Sequence, residues 1–420
     1  MKASASSDPL IQKEVKRRKE CASILPVPEV KSASVSSVGQ KFPMNIELSS
    51  LMNKISSLYE EYSLLDKDQF RSYSYKNVAG RLLYLDFEVC NVPSILRKLS
   101  QVRGFGPKIM QRIGEYLVHK KCSLISELES NSIRAAMRNL VCIWGVGSKT
   151  AQSWAYLGYK NIEDVRQGLR TGKLNVNKNV RIGVDCYEDF IEKIDRDEVT
   201  IIGNIVADTC HERFPNATVT IMGSYRRGKG QCGDVDVLIT DPAYIDATPA
   251  GALDWLVEAL RKKGHITNHL TSVNPSVFHD KEQLKVDSYD EGFDDLCKTS
   301  AMYMGVFSSP VQLNRKRRID IKFYPLNERA SAVLYFTGSS YFNRSMRLYA
   351  KKHKKCHLDD HGLYGVSSVP GRKGDRILVK TENDIFDALG LEFREPHERE
   401  GPITVKGADE PTFIEDEGKM

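Results

Sequence analysis

Two short runs of strand-forming residues, separated by a glycine-rich basic turn, constrain the fold of this chain most strongly. Residues 219–222 and 235–240 are rich in β-branched side chains, which favour strands. Gly223 and Ser224 interrupt the first run, and the basic stretch 226–233 follows them. The pattern therefore predicts a strand, a turn and a second strand.

Alternation along the second run places two carboxylates on one face. Successive side chains of a strand point to opposite faces, so Asp234 and Asp236 share a face while Val235 and Val237 are buried on the other. The two carboxylates stand roughly 6–7 Å apart along the strand. Such a pair repels itself unless a cation lies between its members, and its oxygens suit Mg²⁺.

A third carboxylate comes from a later run, RIDIKF at residues 318–323, in which apolar residues flank Asp320. Three carboxylates on two neighbouring strands can hold two metal ions roughly 3.5–4 Å apart, one activating a hydroxyl and one steadying a leaving phosphate. The alternative is that Asp234 and Asp236 are ordinary solvated charges, and the presence of a third carboxylate at Asp320 argues against it.

The turn before the aspartates carries groups that bind phosphate. Gly223 and Ser224 offer backbone N–H groups and a hydroxyl, while Arg226, Arg227 and Lys229 add positive charge. The turn reads G-x-x-x-x-G-K-G, but it lacks the Ser or Thr that a P-loop uses to ligate Mg²⁺, and a strand is predicted where a helix would follow. The combination indicates nucleotidyl transfer.

In these residues the chain resembles the family X DNA polymerases, which include the lambda, mu, beta and terminal-transferase enzymes and their fungal relatives. The resemblance covers about residues 45–400 and rests on several motifs that recur in order. It implies a nucleotidyltransferase that extends a primer 3′-hydroxyl with deoxynucleoside triphosphates on DNA. It also implies two Mg²⁺ ions at Asp234, Asp236 and Asp320, with Mn²⁺ able to replace them and Asp320 helping to deprotonate the hydroxyl.

The implied fold is multidomain. It has a helical N-terminal domain and fingers with two helix-hairpin-helix motifs, an α+β nucleotidyltransferase palm with a mixed β-sheet, and an α+β thumb. Helical spacing of apolar residues between Leu48 and Tyr59, and an amphipathic pattern over residues 253–261 (LDWLVEALR), agree with it. The expected segments are a disordered tail (1–44), the N-terminal domain (45–124), the fingers (125–195), the palm (196–324), the thumb (325–400) and an acidic disordered tail (401–420).

Two glycine turns predict the helix-hairpin-helix motifs, in residues 99–109 (LSQVRGFGPKI) and 143–151 (IWGVGSKTA). Glycines permit a tight hairpin whose N–H groups, at the start of the next helix, bind a phosphate. One G-x-G turn is more often only a turn, but two copies beside a nucleotidyl-transfer site favour DNA binding. By resemblance they contact the downstream and primer strands with Na⁺ or K⁺ at the hairpin carbonyls. The residues concerned are Gly104, Gly106, Lys108, Gly145, Gly147 and Lys149.

The resemblance also assigns residues to the nucleotide and the template. Tyr335 would crowd a ribose 2′-hydroxyl, Phe336 would stack on the sugar, and Asn343 would meet the minor-groove edge of the base. Without that context an aromatic pair is usually core, and Arg196 an ordinary surface charge. The nucleotide site comprises Arg196, Gly223, Ser224, Arg227, Gly233, Tyr335, Phe336, Gly338 and Asn343, and further DNA contacts comprise Arg318, Arg344 and Arg347.

Two features distinguish members of the family from one another. Residues 269–302 hold a polar segment longer than a hairpin needs, as in the mu and terminal-transferase enzymes. The Tyr335-Phe336 pair resembles that of the lambda enzyme, because the mu and terminal-transferase enzymes have Gly-Trp at these positions. We expect a templated enzyme that fills short gaps in non-homologous end joining of double-strand breaks. The alternatives are a template-independent terminal transferase, a base excision repair polymerase, and a DNA-binding scaffold with a vestigial catalytic triad.

Charge and cysteine usage indicate the cellular context. The net charge is +6, but basic residues concentrate at 315–318 (RKRR) and 344–355 (RSMRLYAKKHKK), which favours DNA over the alternative of solvated helix faces. The nine cysteines lack any C-x-x-C pair, and neither a signal peptide nor a membrane-spanning run is present. Residues 16–19 (KRRK) are either a nuclear address or a solvated charge run. We expect a nuclear monomer, recruited by end-joining factors and without membrane contact; residues 1–40 contain no BRCT domain, which often precedes this region in relatives.

The helix after the first glycine turn generates a test. In the beta and lambda enzymes a lysine there forms a Schiff base with an abasic sugar, and Arg112 occupies the aligned position. A guanidinium stays protonated and cannot act as the amine nucleophile. We therefore expect no adduct when borohydride is added to a mixture of this protein and an abasic 5′ end. A strong adduct would show that Lys108, Lys120 or Lys121 serves instead, and Arg112→Lys is the matched gain-of-function control.

Overall fold

The computed structural model describes residues 42–60, 66–271, 300–366, 373–401 and 403–406. Residues 1–41 of the predicted tail (1–44), with its basic run 16–19, and most of the polar segment after His269 lie outside these residues. None of the helices in the described ranges combines the length and the apolar character that crossing a bilayer requires.

The first half of the described chain is helical. Helix α1 (Pro43–Glu60) buries the predicted apolar face, because Leu48, Met52 and Ile55 are fully covered. It begins at Pro43, two residues before the expected boundary, since proline fits the first position of a helix. One hydrophobic core joins the expected N-terminal domain to the fingers. The helices that follow are α2 (Asp66–Leu82), α3 (Pro93–Gln101), α4 (Pro107–His119), α5 (Ser123–Ser130), α6 (Ser132–Val141), α7 (Ser148–Tyr156), α8 (Ile162–Arg170), α9 (Lys178–Asp185) and α10 (Tyr187–Ile191).

The second half contains a five-stranded sheet of order β2-β4-β7-β6-β5. Strands β4 and β7 are parallel and the other neighbours are antiparallel, so the mixed sheet expected from the sequence is confirmed. Side chains of α11 and α13 form one core with the sheet, and a later helix, α14 (Arg329–Thr337), packs beside β4. The elements are β1 (Ile194–Asp195), α11 (Arg196–His211), β2 (Thr218–Ile221), α12 (Gly223–Arg226), β3 (Gln231–Cys232), β4 (Val235–Thr240), α13 (Ala252–Lys262), β5 (Ile266–His269), β6 (Ala301–Ser308) and β7 (Lys316–Phe323).

The connection between β2 and β4 differs from the predicted simple turn. It contains one helical turn, α12, and a two-residue strand, β3, that pairs with β1 rather than with β2 or β4. Gly223 starts the helical turn at φ +57°, a left-handed conformation that glycine adopts without steric cost. The β1–β3 pairing also extends the sheet domain to Ile194, just before the expected boundary at residue 196.

The last region packs helices on a small three-stranded sheet of order β10-β9-β8. Helix α16 begins with a capping box formed by Thr381 and Asp384. Buried side chains from α14, α15 and α16 form a separate core here. The elements are a 3₁₀ turn (Leu326–Glu328), α14 (Arg329–Thr337), α15 (Ser340–Tyr349), a π turn (Ala350–Lys354), β8 (His357–Leu358), β9 (Leu363–Val366), β10 (Lys373–Ile377), α16 (Glu382–Leu389) and a 3₁₀ turn (Pro396–Glu398).

The expectation of a disordered tail from residue 401 is wrong for residues 403–406. Ile403 is 1% exposed, Val405 forms a β-bridge with Leu391, and the Glu392 N–H donates to the Thr404 carbonyl at 2.9 Å. The acidic composition of residues 401–420 as a whole hides the short strand-forming run Ile403-Thr404-Val405, which buries its apolar side chains in the last core.

A buried ion pair joins the sheet to α11. The Arg317 guanidinium on β7 donates to both carboxylate oxygens of Glu198, at 2.9 and 3.0 Å, and the two side chains are 1% and 3% exposed. A bidentate pair of this kind fixes the distance between its two elements as well as neutralising both charges. It therefore holds the start of α11 against the strand that carries Asp320.

Removing Glu198 takes away both short contacts of the buried Arg317 guanidinium and leaves it with the partly exposed Glu192, whose Oε2 lies 3.2 Å from Arg317 Nη1. We expect Glu198→Ala to lower the free energy of unfolding by about 3–5 kcal/mol, measured by urea denaturation. Glu258→Ala breaks the exposed pair with Arg261 in the same domain and should cost less than about 1 kcal/mol. Equal costs for the two variants would contradict a structural role for the Arg317–Glu198 pair.

Candidate active site

The three predicted carboxylates meet on neighbouring strands. The parallel register pairs Asp236 of β4 with Asp320 of β7, and Asp234 directly precedes β4. Asp320 is 9% exposed, whereas the Asp234 and Asp236 side chains are about a quarter exposed. The sheet thus brings together, at one place, residues that lie more than eighty positions apart in the sequence.

Two basic side chains on β7 contact these carboxylates. The Arg318 guanidinium donates to Asp234 Oδ2, and the buried Lys322 ammonium lies 2.6 Å from Asp236 Oδ1. Arg318 was predicted to contact DNA, and the structure places it on Asp234. Lys322 was missed, although residues 318, 320 and 322 alternate along one face of the strand. That period of two was the available signal.

The donor set fits a hard divalent cation. Asp320 Oδ1 is buried and accepts no hydrogen bond from the described residues, and an unsatisfied buried oxygen of this kind is costly unless a cation or donor reaches it. Among the same residues no three His, Cys, Asp or Glu side chains already stand in a chelating arrangement; Asp234 and Asp236 instead each contact a basic group. Each of these two contacts uses one carboxylate oxygen, so a bound ion would meet the second oxygen or replace the basic partner.

Burial shifts the ionisation of the site. It raises the pKa of Asp320 from 3.8 to about 6, with nearby Lys322 opposing the shift and Asp236 adding to it. Burial also raises the pKa of Asp234, and the negative charge of Asp236 adds to this effect, while Arg318 opposes it. A carboxylate that is poorly solvated in this way binds protons or metal ions more readily than an exposed one.

Gly223 allows the basic turn to approach the carboxylates closely. A Cβ on residue 223 would lie 2.4 Å from Asp236 Oδ2, and the Met222 N–H donates to the Asp236 carbonyl at 2.8 Å. Ser224 follows on α12, and Gly233 directly precedes Asp234. The sequence therefore predicted correctly that this turn lies beside the aspartate pair.

The two arginines predicted to hold a triphosphate contact the protein itself. Arg196 donates to the carbonyls of Tyr225 (2.7 Å) and Lys229 (3.2 Å), with its guanidinium 3.8 Å from the Tyr225 ring centre. Arg227 donates to the Thr337 carbonyl at 2.7 Å and to Glu400 at 2.8 Å. The Arg196 side chain therefore packs against the turn formed by residues 223–230. Arg227 belongs to that turn and links it to Thr337 and Glu400.

The predicted aromatic shelf stands at the end of α14. The Tyr335 and Phe336 rings lie edge to face, 5.2 Å apart, and Lys322 Nζ lies 4.6 Å from the Phe336 ring centre. Asn343 donates to the Tyr335 carbonyl at 2.6 Å. Gly338 follows the pair, and a Cβ there would lie 3.1 Å from Arg227. The shelf is thus linked through Lys322 to the carboxylates and through Arg227 to the basic turn.

The two arginines of α15 that were predicted to contact DNA, Arg344 and Arg347, lie beside tyrosine rings. Arg347 lies 5.7 Å from the Tyr335 ring centre, and Arg344 lies 4.9 Å from that of Tyr73 on α2. The Tyr341 hydroxyl donates to Asn77 Oδ1 at 2.8 Å. These contacts bring α15 against the N-terminal helices.

The two glycine turns have matching local structure. In each, the residue between the glycines is buried (Phe105 and Val146), while the glycines are exposed. Gly106 and Gly147 each precede a helix without a side-chain cap, so the first N–H groups of α4 and α7 remain available to a ligand. Lys108 and Lys149 are exposed in the first turns of these helices.

The shifted pKa of Asp320 predicts a dependence of stability on pH. Between about pH 4 and pH 6 the folded protein holds a proton that the unfolded chain has released, so stability falls as pH rises and the full penalty is present above about pH 6. In EDTA, Asp320→Asn should therefore raise the free energy of unfolding at pH 8 by up to about 3 kcal/mol and have little effect below pH 4. The exposed Asp208→Asn is the control, and a destabilised Asp320→Asn protein at pH 8 would contradict the assignment.

Known protein families match the same regions. The fingers domain of DNA polymerase lambda matches residues 138–191, the DNA polymerase beta palm matches residues 193–326, and the DNA polymerase beta thumb matches residues 332–400. Together they span more than half of the chain.

Curated relatives agree with these matches. DNA polymerase lambda of Rattus norvegicus is 33% identical over 74% of this chain and 48% of its own length. DNA nucleotidylexotransferase of Ambystoma mexicanum is 28% identical over 81% and 66%, and human DNA-directed DNA/RNA polymerase mu is 29% identical over 73% and 62%. The chain spans about half to two thirds of the length of these relatives. With the paired strands, the carboxylates and the basic turn in the positions described, these matches show that the chain belongs to the family X DNA polymerases.

Proposed function

We propose that this protein is a template-directed DNA polymerase that fills short gaps by transferring deoxynucleotides to a primer 3′-hydroxyl. The observation that carries the proposal is the convergence of Asp234, Asp236 and Asp320 beside the basic turn, with one oxygen of Asp320 buried and unpaired within the described part of the chain. DNA and deoxynucleoside triphosphates are the corresponding substrates. Family membership supports the same reaction class.

The site residues divide the chemistry among themselves. Asp234 and Asp236 would hold two divalent cations, Mg²⁺ or Mn²⁺, and Asp320 would complete the site nearer the primer. When bound, such ions lower the pKa of the attacking hydroxyl and neutralise the triphosphate. Asp320 would accept the hydroxyl proton. The primer oxygen then bonds to the α-phosphorus as the bond to the β-phosphate oxygen breaks, and pyrophosphate leaves.

The basic turn and the aromatic shelf select and hold the nucleotide. Backbone N–H groups near Gly223 and Gly233, the Ser224 hydroxyl and Arg227 would donate to phosphate oxygens. Arg196 shapes the turn through its bonds to the carbonyls of Tyr225 and Lys229. Tyr335 and Phe336 would pack under the sugar, and Asn343 is fixed near them by its bond to the Tyr335 carbonyl.

The two glycine turns serve as helix-hairpin-helix contacts to the DNA backbone. Each presents exposed glycines and uncapped helical N–H groups beside an exposed lysine, an arrangement that binds phosphate without reading sequence. Na⁺ or K⁺ at the hairpin carbonyls belongs to this proposal. Arg344 and Arg347, which now contact tyrosines, would turn to the template strand when DNA enters.

End joining is the pathway that the observations favour. The Arg112 guanidinium contacts Ser123 and Glu115, so the position of the lyase lysine is held by a residue that cannot form an imine. The expected absence of lyase activity would argue against base excision repair. A nuclear location, a monomeric state and recruitment by end-joining factors complete the proposal.

The decisive experiment compares incorporation with Mg²⁺ on three substrates: a one-nucleotide gap with a 5′-phosphate, paired ends with 3′ overhangs, and a lone single strand. We expect template-matched insertion on the first two and little on the third. Efficient untemplated extension of the single strand would favour a terminal transferase, a function for which the relative named DNA nucleotidylexotransferase provides a precedent.

A matched variant ties the activity to the site. Asp320→Ala should reduce incorporation by at least about 10³-fold while leaving the affinity for gapped DNA near that of the parent protein. Retained catalysis would overturn the proposed role of the carboxylates. Asp208→Ala, on the exposed face of α11, is the control for a change of charge elsewhere in the palm.

A further inference from the structure

A carboxylate occupies the basic turn where a phosphate is expected. Glu400 Oε1 lies 2.8 Å from Arg227 Nε and 3.5 Å from Lys229 Nζ. No sequence motif pointed to Glu400, because it follows the 3₁₀ turn Pro396–Glu398 at the far end of the chain. Its two partners are basic residues of the turn that Gly223 brings against Asp236.

The backbone around Glu400 is anchored, so its position is built into the fold. The neighbouring Arg399 is fully buried and donates to Glu382 Oε1 at 2.5 Å and to the Arg394 carbonyl at 2.9 Å. The Arg399 carbonyl accepts from the Ser339 N–H at 3.1 Å. A Cβ on Gly228 would lie 3.9 Å from His397, which shows that the segment 394–400 lies directly against the basic turn.

The Glu400 side chain itself remains able to move. It is 44% exposed, and Lys229 is 50% exposed, whereas Arg227 is only 15% exposed. The cation is thus the sheltered member of the pair and the carboxylate is the exposed one. The pKa of Glu400 is lowered by Arg227 and Lys229 despite partial burial, so its charge is present at neutral pH.

A carboxylate and a phosphate compete for the same guanidinium. Arg227 donates through Nε to Glu400 and through Nη1 to the Thr337 carbonyl, so a phosphate that binds the edge of the guanidinium carrying Nε must displace Glu400. Glu400 is the easier of the two to displace, because it can rotate into solvent, whereas Thr337 is fully buried.

We propose that Glu400 is a positioning residue that holds Arg227 and Lys229 when the site is empty and competes with the triphosphate of the incoming nucleotide for them. This inference rests on the proposed function. The consequence of this contact is that the Arg227 and Lys229 side chains stay neutralised and ordered between turnovers, at the expense of affinity for the nucleotide. The exchange of partners affects binding and leaves the chemical step unchanged.

The test is Glu400→Gln, which keeps the shape of the side chain and removes its charge. On gapped DNA with a correct deoxynucleoside triphosphate, we expect KM to fall by about 3- to 10-fold, as for the loss of one partly exposed ion pair, with kcat unchanged. The dissociation constant of the same nucleotide, measured on a primer with a dideoxy end that blocks chemistry, should fall by the same factor. Glu392→Gln, an exposed residue of the same domain, makes the same charge change and should alter neither constant.

The outcomes separate the two proposals. If the parent protein incorporates no nucleotide on any DNA substrate, the proposed function fails. If the parent protein is active and Glu400→Gln leaves KM and the dissociation constant unchanged or raises them, the competition is refuted. The competition would also be refuted if Glu392→Gln lowered KM and the dissociation constant by the same factor as Glu400→Gln, because the cause would then be net charge. Thermal melting of both variants verifies that each is folded.

Discussion

The parallel pairing of β4 with β7 is the constraint on which the candidate site depends. Its register places Asp236 opposite Asp320, and the flanking valines and isoleucines hold both strands in the core. A shift of one residue in either strand would turn a carboxylate into the apolar layer. The bidentate Arg317–Glu198 pair protects this register further, because it ties the same strand to α11 on the opposite face from Asp320.

A second ion network sets the position of the basic turn relative to the aromatic shelf. Arg226 donates to Glu382 at 2.6 Å, and the buried Arg399 donates to the same carboxylate. Glu382 therefore joins the basic turn, at the edge of the sheet, to the end of the last domain. Such a network is costly to bury unless every charge is paired, which favours one relative arrangement of turn and shelf over many loosely held ones.

The sequence was informative where the chemistry follows a short period and less so where it depends on long-range packing. Alternation predicted the aspartate pair and Asp320, and helical spacing predicted the buried face of α1. Lys322 lies on the same face of its strand as Asp320, but a lone basic residue in a strand does not indicate a role until the residue that it contacts on the neighbouring strand, here Asp236, is known. The contact between Arg227 and Glu400 joins residues 173 positions apart through a fold that no local pattern encodes. The ordered run 403–406 was missed because composition was averaged over a longer acidic segment.

A common electrostatic principle connects these contacts. Asp234 and Asp236, expected to bind cations, contact Arg318 and Lys322, and Arg227, expected to bind phosphate, contacts Glu400. Each of these three charged groups has thus replaced part of its hydration with a protein partner of opposite sign. Under the proposed function, entry of a metal–nucleotide complex would be an exchange of ion partners rather than the first desolvation of bare charges, and exchange costs less because the groups are already partly dehydrated. Asp320 is the exception. Its buried Oδ1 has no such partner among the described residues, so it gains most from a bound cation and loses most when the site is empty.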